Sequence, residues 1–279
     1  MNNRRFSEAN PPREDRIRFY WDTLRAWLPR GDASVLVVGA EQNDADVLQG
    51  LGYHDVTLLN LGQGLAELPV GWRFVVGNGH ALPFTENAFD FVVTHATLHH
   101  CRSPHQALLE MYRVARAGVI FIEARDSVLM RCMEWSGMTQ SFEVTAVHYN
   151  DGRKGGVDDT AIPNYVYRWT EREVQKTISS YAPHARHACA FRYGMALPQT
   201  PDVLRGGGLR RYLLAALRLV GAPMLRLFRR QQNLFAAFVR KPHGADSLQP
   251  WIVVGRDGEP DFDVAWARKR YVAAPTHDR

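Results

Sequence analysis

Three short apolar runs constrain the fold most: VLVV at 35–38, FDFVV at 89–93 and GVIFIEA at 118–124. None keeps the strict apolar–polar alternation of a strand with one wet face. Each is therefore expected to be a strand covered on both faces, as in a parallel sheet between helical layers. Helix-length segments separate the runs.

Around them, the patterns predict strands at 56–59 and 73–76 and helices at 44–51 and 104–115. A leading helix over 13–28 places Ile17, Tyr20, Trp21, Leu24, Trp27 and Leu28 on one face, and Pro29-Arg30-Gly31 stops it. The expectation is an α/β, Rossmann-like doubly wound sheet starting near residue 30. Beyond 125 the periodicity loosens into a turn-rich, tyrosine-bearing stretch, and Thr170 with Glu173 then forms a capping-box signature. Strands are expected again at 187–193 and 234–239.

Composition is that of an ordinary folded chain, 46% hydrophobic and 23% charged over 279 residues. Its net charge of +5 is uneven: between 204 and 245 nine basic residues meet no acid. The segment 209–231 reads as two short helices divided by Gly221-Ala222-Pro223, with leucines beside the arginines. Packing on the core or over the substrate is the first reading, peripheral contact with an anionic membrane the second and contact with a partner the third. Nucleic acid is disfavoured, because stacking aromatics are not interleaved with the charges. Cys101, Cys132 and Cys189 form no CxxC pair, so neither a disulfide framework nor a zinc ribbon is implied. With no apolar leader and no membrane-length apolar run, the expected location is cytoplasmic, membrane-peripheral in the second reading.

The motifs carry the chemistry. "VLVVGAEQNDADVLQGLGYHDVTLLN" (35–60) is a strand, a tight turn, a helix and a second strand ending on a polar residue. "GNGHALPF" (77–84), "FDFVV", "LHH" (98–100) and "ALLEMYRVARAG" (107–118) follow without a gap. This combination closely resembles the class I S-adenosylmethionine (SAM)-dependent methyltransferases of the methyltransferase type 11 group. In that group the pattern runs approximately GDAxxLPFxDxSFDxVxxxxxLHHxxDPxxALxExxRVLxPGG. The resemblance implies a sheet of about seven strands, mostly parallel with an antiparallel last strand, to which the 209–231 segment adds a helical insertion near the C-terminus.

It also implies SAM as cofactor, bound by Gly39, Ala40, Glu41, Asn60, Leu61, Asn78, Gly79, His80 and His95. Asn60 would face the ribose and Asn78 the adenine. The departures are specific: the glycine-rich turn reads Gly39-Ala40-Glu41-Gln42-Asn43, and two acids of the family pattern are asparagines. Each asparagine keeps a carbonyl acceptor, but a neutral bond of about 1 kcal/mol replaces a charge-assisted one of about 1.5–3 kcal/mol. An NAD site is disfavoured, since neither GxGxxG nor an acid ending the second strand is present.

His95, His99 and His148 are the candidate general bases, and Tyr149, Asp158, Tyr165 and Tyr167 the candidate acceptor contacts. No metal site is expected, as His95 and His99 have no HExxH acid. The implied organisation is an N-terminal helical cap (1–30), a methyltransferase core (31–200 and 232–242) containing a substrate loop (125–168), a basic helical insertion (201–231) and a tail (243–279). The implied activity is methyl transfer, at oxygen, to a small-molecule, glycan or lipid-linked acceptor. A catalytically silent protein binding a partner or membrane is the alternative.

Overall fold

The computed structural model describes residues 6–8, 10–29, 32–62, 64–65, 67–196, 227–244 and 247–271. The strands are β1 (Val35–Val38), β2 (Val56–Asn60), β3 (Arg73–Val76), β4 (Phe89–His95), β5 (Ala115–Ala124), β6 (Ala188–Gly194) and β7 (Leu234–Arg240). They form one sheet in the order β3-β2-β1-β4-β5-β7-β6. Strands β1 to β5 pair in parallel, and β7 runs antiparallel to both β5 and β6. This is the expected doubly wound sheet. A small hairpin, β8 (Ile252–Val254) with β9 (Pro260–Phe262), lies outside it.

The reason for the unalternating runs is direct: all four β1 residues are buried. Leu36 and Val38 join one core, under α3 (Pro104–Val114) and α6 (Glu171–Tyr181), with Leu108, Met111, Val174 and Ile178. Val35 and Val37 join the other, under α1 (Asp15–Trp27) and α2 (Gln42–Gly50), with Tyr20, Trp21, Leu24, Val47 and Leu48. The capping box opening α6 forms as its sequence indicates: Glu173 N–H donates to Thr170 Oγ1 at 3.2 Å and Thr170 N–H to Glu173 Oε2 at 3.1 Å.

After β5 the chain makes α4 (Val128–Trp135) and α5 (Val144–Tyr149) before returning to α6. A last short helix, α7 (Val264–Arg270), follows the hairpin. The two-helix reading of the basic segment 209–231 lies, over 209–226, outside the described residues. Among the described residues no helix is long and apolar enough to cross a membrane.

Candidate functional site

Strand order places the site. The chain steps outward from β1 through β2 to β3, then crosses back to β4, so a crevice opens where the carboxyl ends of β1 and β4 diverge. A cavity of about 790 Å³ occupies it, lined by the residues ending β1, β2 and β4 and by the loops that follow. That volume suits a nucleotide-sized ligand with a second molecule beside it.

The turn after β1 is locked from three sides. Gly39 has φ +70°, and an added Cβ would lie 2.1 Å from Thr97 Cγ2. Thr97 Oγ1 approaches the Gly39 carbonyl at 3.3 Å, and Thr94 Oγ1 donates to the Val38 carbonyl at 2.8 Å. Asn60 Nδ2 donates to the Ala40 carbonyl at 3.0 Å, while its Oδ1 accepts from Leu61 N–H at 2.7 Å. An aspartate at 60 could not make the first of these bonds. Just beyond β4, Ala96 holds φ +53°, an uncommon backbone for a residue with a Cβ.

Glu41 lines the cavity but is solvent-exposed at the start of α2. The inward acid is Asp44, at the third position of α2. It accepts the Glu41 N–H, through Oδ2 at 2.9 Å. Its Oδ1 is buried beside the Tyr20 hydroxyl without a hydrogen bond of normal geometry, and the residue lines the cavity. Burial lifts this carboxyl from 3.8 to about 7, against the pull of the Glu41 amide and the neighbouring Tyr20 hydroxyl. Tyr20 in turn stacks on His95, ring centroids 4.5 Å apart. The Tyr20 hydroxyl and His95 Nε2 are likewise buried without a hydrogen bond of normal geometry. Asp44 and His95 line the cavity, and Tyr20 lies behind them, its hydroxyl beside the Asp44 carboxyl and its ring on His95.

In the loop after β3, Asn78 Oδ1 accepts from His80 N–H at 2.9 Å and faces His80 Nδ1 at 2.8 Å. His80 Nε2 accepts from Ser103 N–H at 3.0 Å, which places the ring proton on Nδ1. The Asn78 carbonyl is thus already doubly engaged. Its Nδ2 amide is the free edge, so at this position the side chain offers a donor where the family resemblance implies an acceptor.

The far half of the cavity is built from a one-turn helix, Leu98–His100, and from Glu143, which precedes α5. Glu123, buried near the end of β5, accepts from the Thr97 and Leu98 amides at 2.9 and 2.6 Å and holds His99 Nδ1 at 2.5 Å. His99 Nε2 and His100 Nε2 lie 3.5 and 3.4 Å from Glu143 Oε2. Burial alone would lower His99, but the Glu123 and Glu143 carboxylates outweigh it and raise the ring to about 10. Burial and the charge of His99 lower His100. His95 is depressed to about 4 by burial first and by Arg16 second. Cys101 is pushed up to about 12, chiefly by burial, so its thiol stays protonated and is no nucleophile.

Of the sequence-derived site residues, Gly39, Glu41, Asn60, Leu61, Asn78, Gly79, His95, His99 and Asp158 line this cavity. Ala40 and His80 do not; they brace Asn60 and Asn78 from behind. His148 is exposed on α5 against Tyr149, Tyr165 packs on Phe142 at the surface, and Tyr167 bonds Glu173, so these four are not brought to the cavity. Sequence reading missed Asp44, Glu123 and Glu143. The N3 position of Asp44 after the turn is the one signal that could have flagged any of them.

Comparison with known proteins agrees with this architecture. Residues 45–122 match the model of the methyltransferase domain family, Methyltransf_11. No curated protein matches the chain. Among solved structures, the chain resembles the partner of the Haloferax volcanii Trm112 methyltransferase activator, described as a methyltransferase. The TM-score is 0.50 at 15% identity, over 80% of this chain and 89% of that one. A SAM-dependent methyltransferase of Methanosarcina mazei follows at 0.46 and 15%, over 80% and 98% of the two chains. The chain thus has the class I, Rossmann-like fold of the methyltransferases, and its residues 45–122 match the methyltransferase domain family.

Proposed function

We propose that this protein is a SAM-dependent methyltransferase that methylates an oxygen of a small-molecule, glycan or lipid-linked acceptor. One observation carries the reading: a single cavity runs from the locked Gly39 turn and the strand-end asparagines to the polar group around His99. The residues present fit the cofactor. The Asp44 carboxylate suits the methionyl ammonium, and Arg16, on the same cavity, suits the carboxylate. Asn60 Oδ1 retains a lone pair for a ribose hydroxyl, and Asn78 Nδ2 can donate to a ring nitrogen of adenine. When bound, SAM supplies an electrophilic methyl group on a sulfonium.

The chain's own contribution is positioning, since an in-line displacement is accelerated mostly by holding donor and acceptor at near-attack distance. The polar wall of His99, His100, Glu143 and Asp158 suits a hydroxyl-bearing acceptor. A side cavity of about 150 Å³, sharing Arg16, His95, His99 and Glu143 and reaching Met130, Val166, Arg168 and Leu234, gives that acceptor a recess of mixed polar and apolar lining.

Calorimetry with S-adenosylhomocysteine tests the cofactor half. Wild-type protein is expected to bind, and Asn78→Ala to bind about tenfold more weakly, the worth of one neutral hydrogen bond of about 1–1.5 kcal/mol. Absence of binding at millimolar ligand would sink the proposal and leave the silent, methyltransferase-like binding protein as the reading.

A further inference from the structure

We propose that His99, His100 and Glu143 form a divalent transition-metal site, with zinc the best-fitting ion, open toward the acceptor half of the cavity. One ring nitrogen each of His99 and His100 and a Glu143 oxygen lie within 4.8 Å of one another, the one such group among the described residues. The Glu143 Oε2 separations of 3.5 and 3.4 Å from the two rings match a tetrahedral centre. Zinc bonds of about 2.0–2.2 Å put neighbouring ligand atoms roughly 3.3–3.5 Å apart. Two histidines and one glutamate with a remaining open position is the ligand set of catalytic rather than structural zinc.

The surroundings supply a second line of support. A metal-bound imidazole nearly always gives its other N–H to a carboxylate or carbonyl, which fixes the ring and its tautomer. Here Glu123 takes His99 Nδ1 at 2.5 Å, and is itself anchored by two backbone amides, so His99 Nε2 is left facing Glu143. Glu143 is held twice by Asn164: Nδ2 donates to Glu143 Oε2 at 3.2 Å, and the Asn164 carbonyl accepts the Glu143 N–H at 3.0 Å. Asn164 Nδ2 also reaches the His99 carbonyl at 3.1 Å, tying the two ligand segments together. All three ligands line the main cavity, so the open position faces the place where an acceptor would sit.

An ion there would polarise an acceptor hydroxyl and favour loss of its proton. That role rests on the proposed methyl transfer; the existence of the site does not. The test therefore reads metal and not turnover. Tag-free full-length protein, stripped with chelator, is titrated with zinc chloride in the calorimeter without cofactor, and its metal content is measured after dialysis. One equivalent is expected, with a zinc-dependent rise in Tm. His100→Ala and Glu143→Gln, each checked for folding by circular dichroism, should lose more than the roughly 10–100-fold that a supporting residue costs. The exposed His54→Ala is the control and should bind as wild type.

Substoichiometric zinc in the wild type, or zinc retained unchanged by both ligand variants, overturns the proposal; the cluster is then an imidazole bridging two carboxylates. Because S-adenosylhomocysteine binding is measured separately, failure of the metal site and failure of the methyltransferase reading give different patterns.

Discussion

Gly39→Ala is expected to destabilise the fold by roughly 2–5 kcal/mol and to abolish cofactor binding. Two costs add. A residue with a Cβ at φ +70° meets the left-handed penalty of about 1–2 kcal/mol, and forcing that carbon into a filled space costs about 1–3 kcal/mol more. The obstruction is specific: the three nearest atoms, at 2.1, 2.5 and 2.8 Å, all belong to the Thr97 side chain. The double variant Gly39→Ala/Thr97→Ala removes two of them. It should recover about 1–2 kcal/mol in a double-mutant cycle by urea denaturation, leaving the backbone cost in place. Purely additive effects would show that Thr97 does not set the turn.

Asp44→Asn is expected to act in opposite directions on stability and on binding. The wild-type carboxyl titrates at about 7 in the folded protein and at 3.8 without burial. Below 3.8 both states hold the proton and the group contributes nothing. As pH rises from there to about 7 the unfolded chain gives up the proton while the folded one keeps it, so stability falls; above 7 the loss is complete and constant. At about 1.4 kcal/mol per pH unit the span corresponds to something on the order of 4 kcal/mol. The asparagine keeps an acceptor for the Glu41 amide and carries no charge, so it should be the more stable protein at pH 8 and indistinguishable near pH 4.

The same variant should bind S-adenosylhomocysteine about 10- to 100-fold more weakly, the worth of a hydrogen bond to a charged group. Wild-type affinity should rise between pH 6 and 7 and then level off. Denaturation curves at several pH values, paired with calorimetry, measure both effects. A pH-independent stability difference together with unchanged affinity would remove Asp44 from the site.

The two predictions bear on one physical theme. Burying a carboxylate without a full set of partners is unfavourable, and it persists here beside a ligand-sized cavity. Strain and unsatisfied groups concentrate where a ligand completes them. Glu41, the acid that stood out in the sequence, is turned to solvent. Asp44, three residues on and unremarkable in the sequence, is the one turned inward.

What the sequence determined by itself is local or periodic. The runs at 35–38, 89–93 and 118–124 announced strands covered on both faces, because burial on two sides removes alternation. Thr170 and Glu173 announced the start of α6, because a capping box is closed within four residues. Gly39, Asn60 and Asn78 could be assigned to strand ends, and parallel strands bring their carboxyl ends to one edge. Tertiary structure decided the rest. The Asn78 carbonyl is already engaged because His80 folds back onto it. Glu143 reaches His99 and His100 from a segment more than 40 residues away, in a stretch without helical or strand period to reveal its path. How the side chains of Asp44 and His99 are held depends on partners brought from α1 and β5. Pattern in a sequence reports what neighbours along the chain share; the orientation of a buried polar side chain is set by neighbours in space.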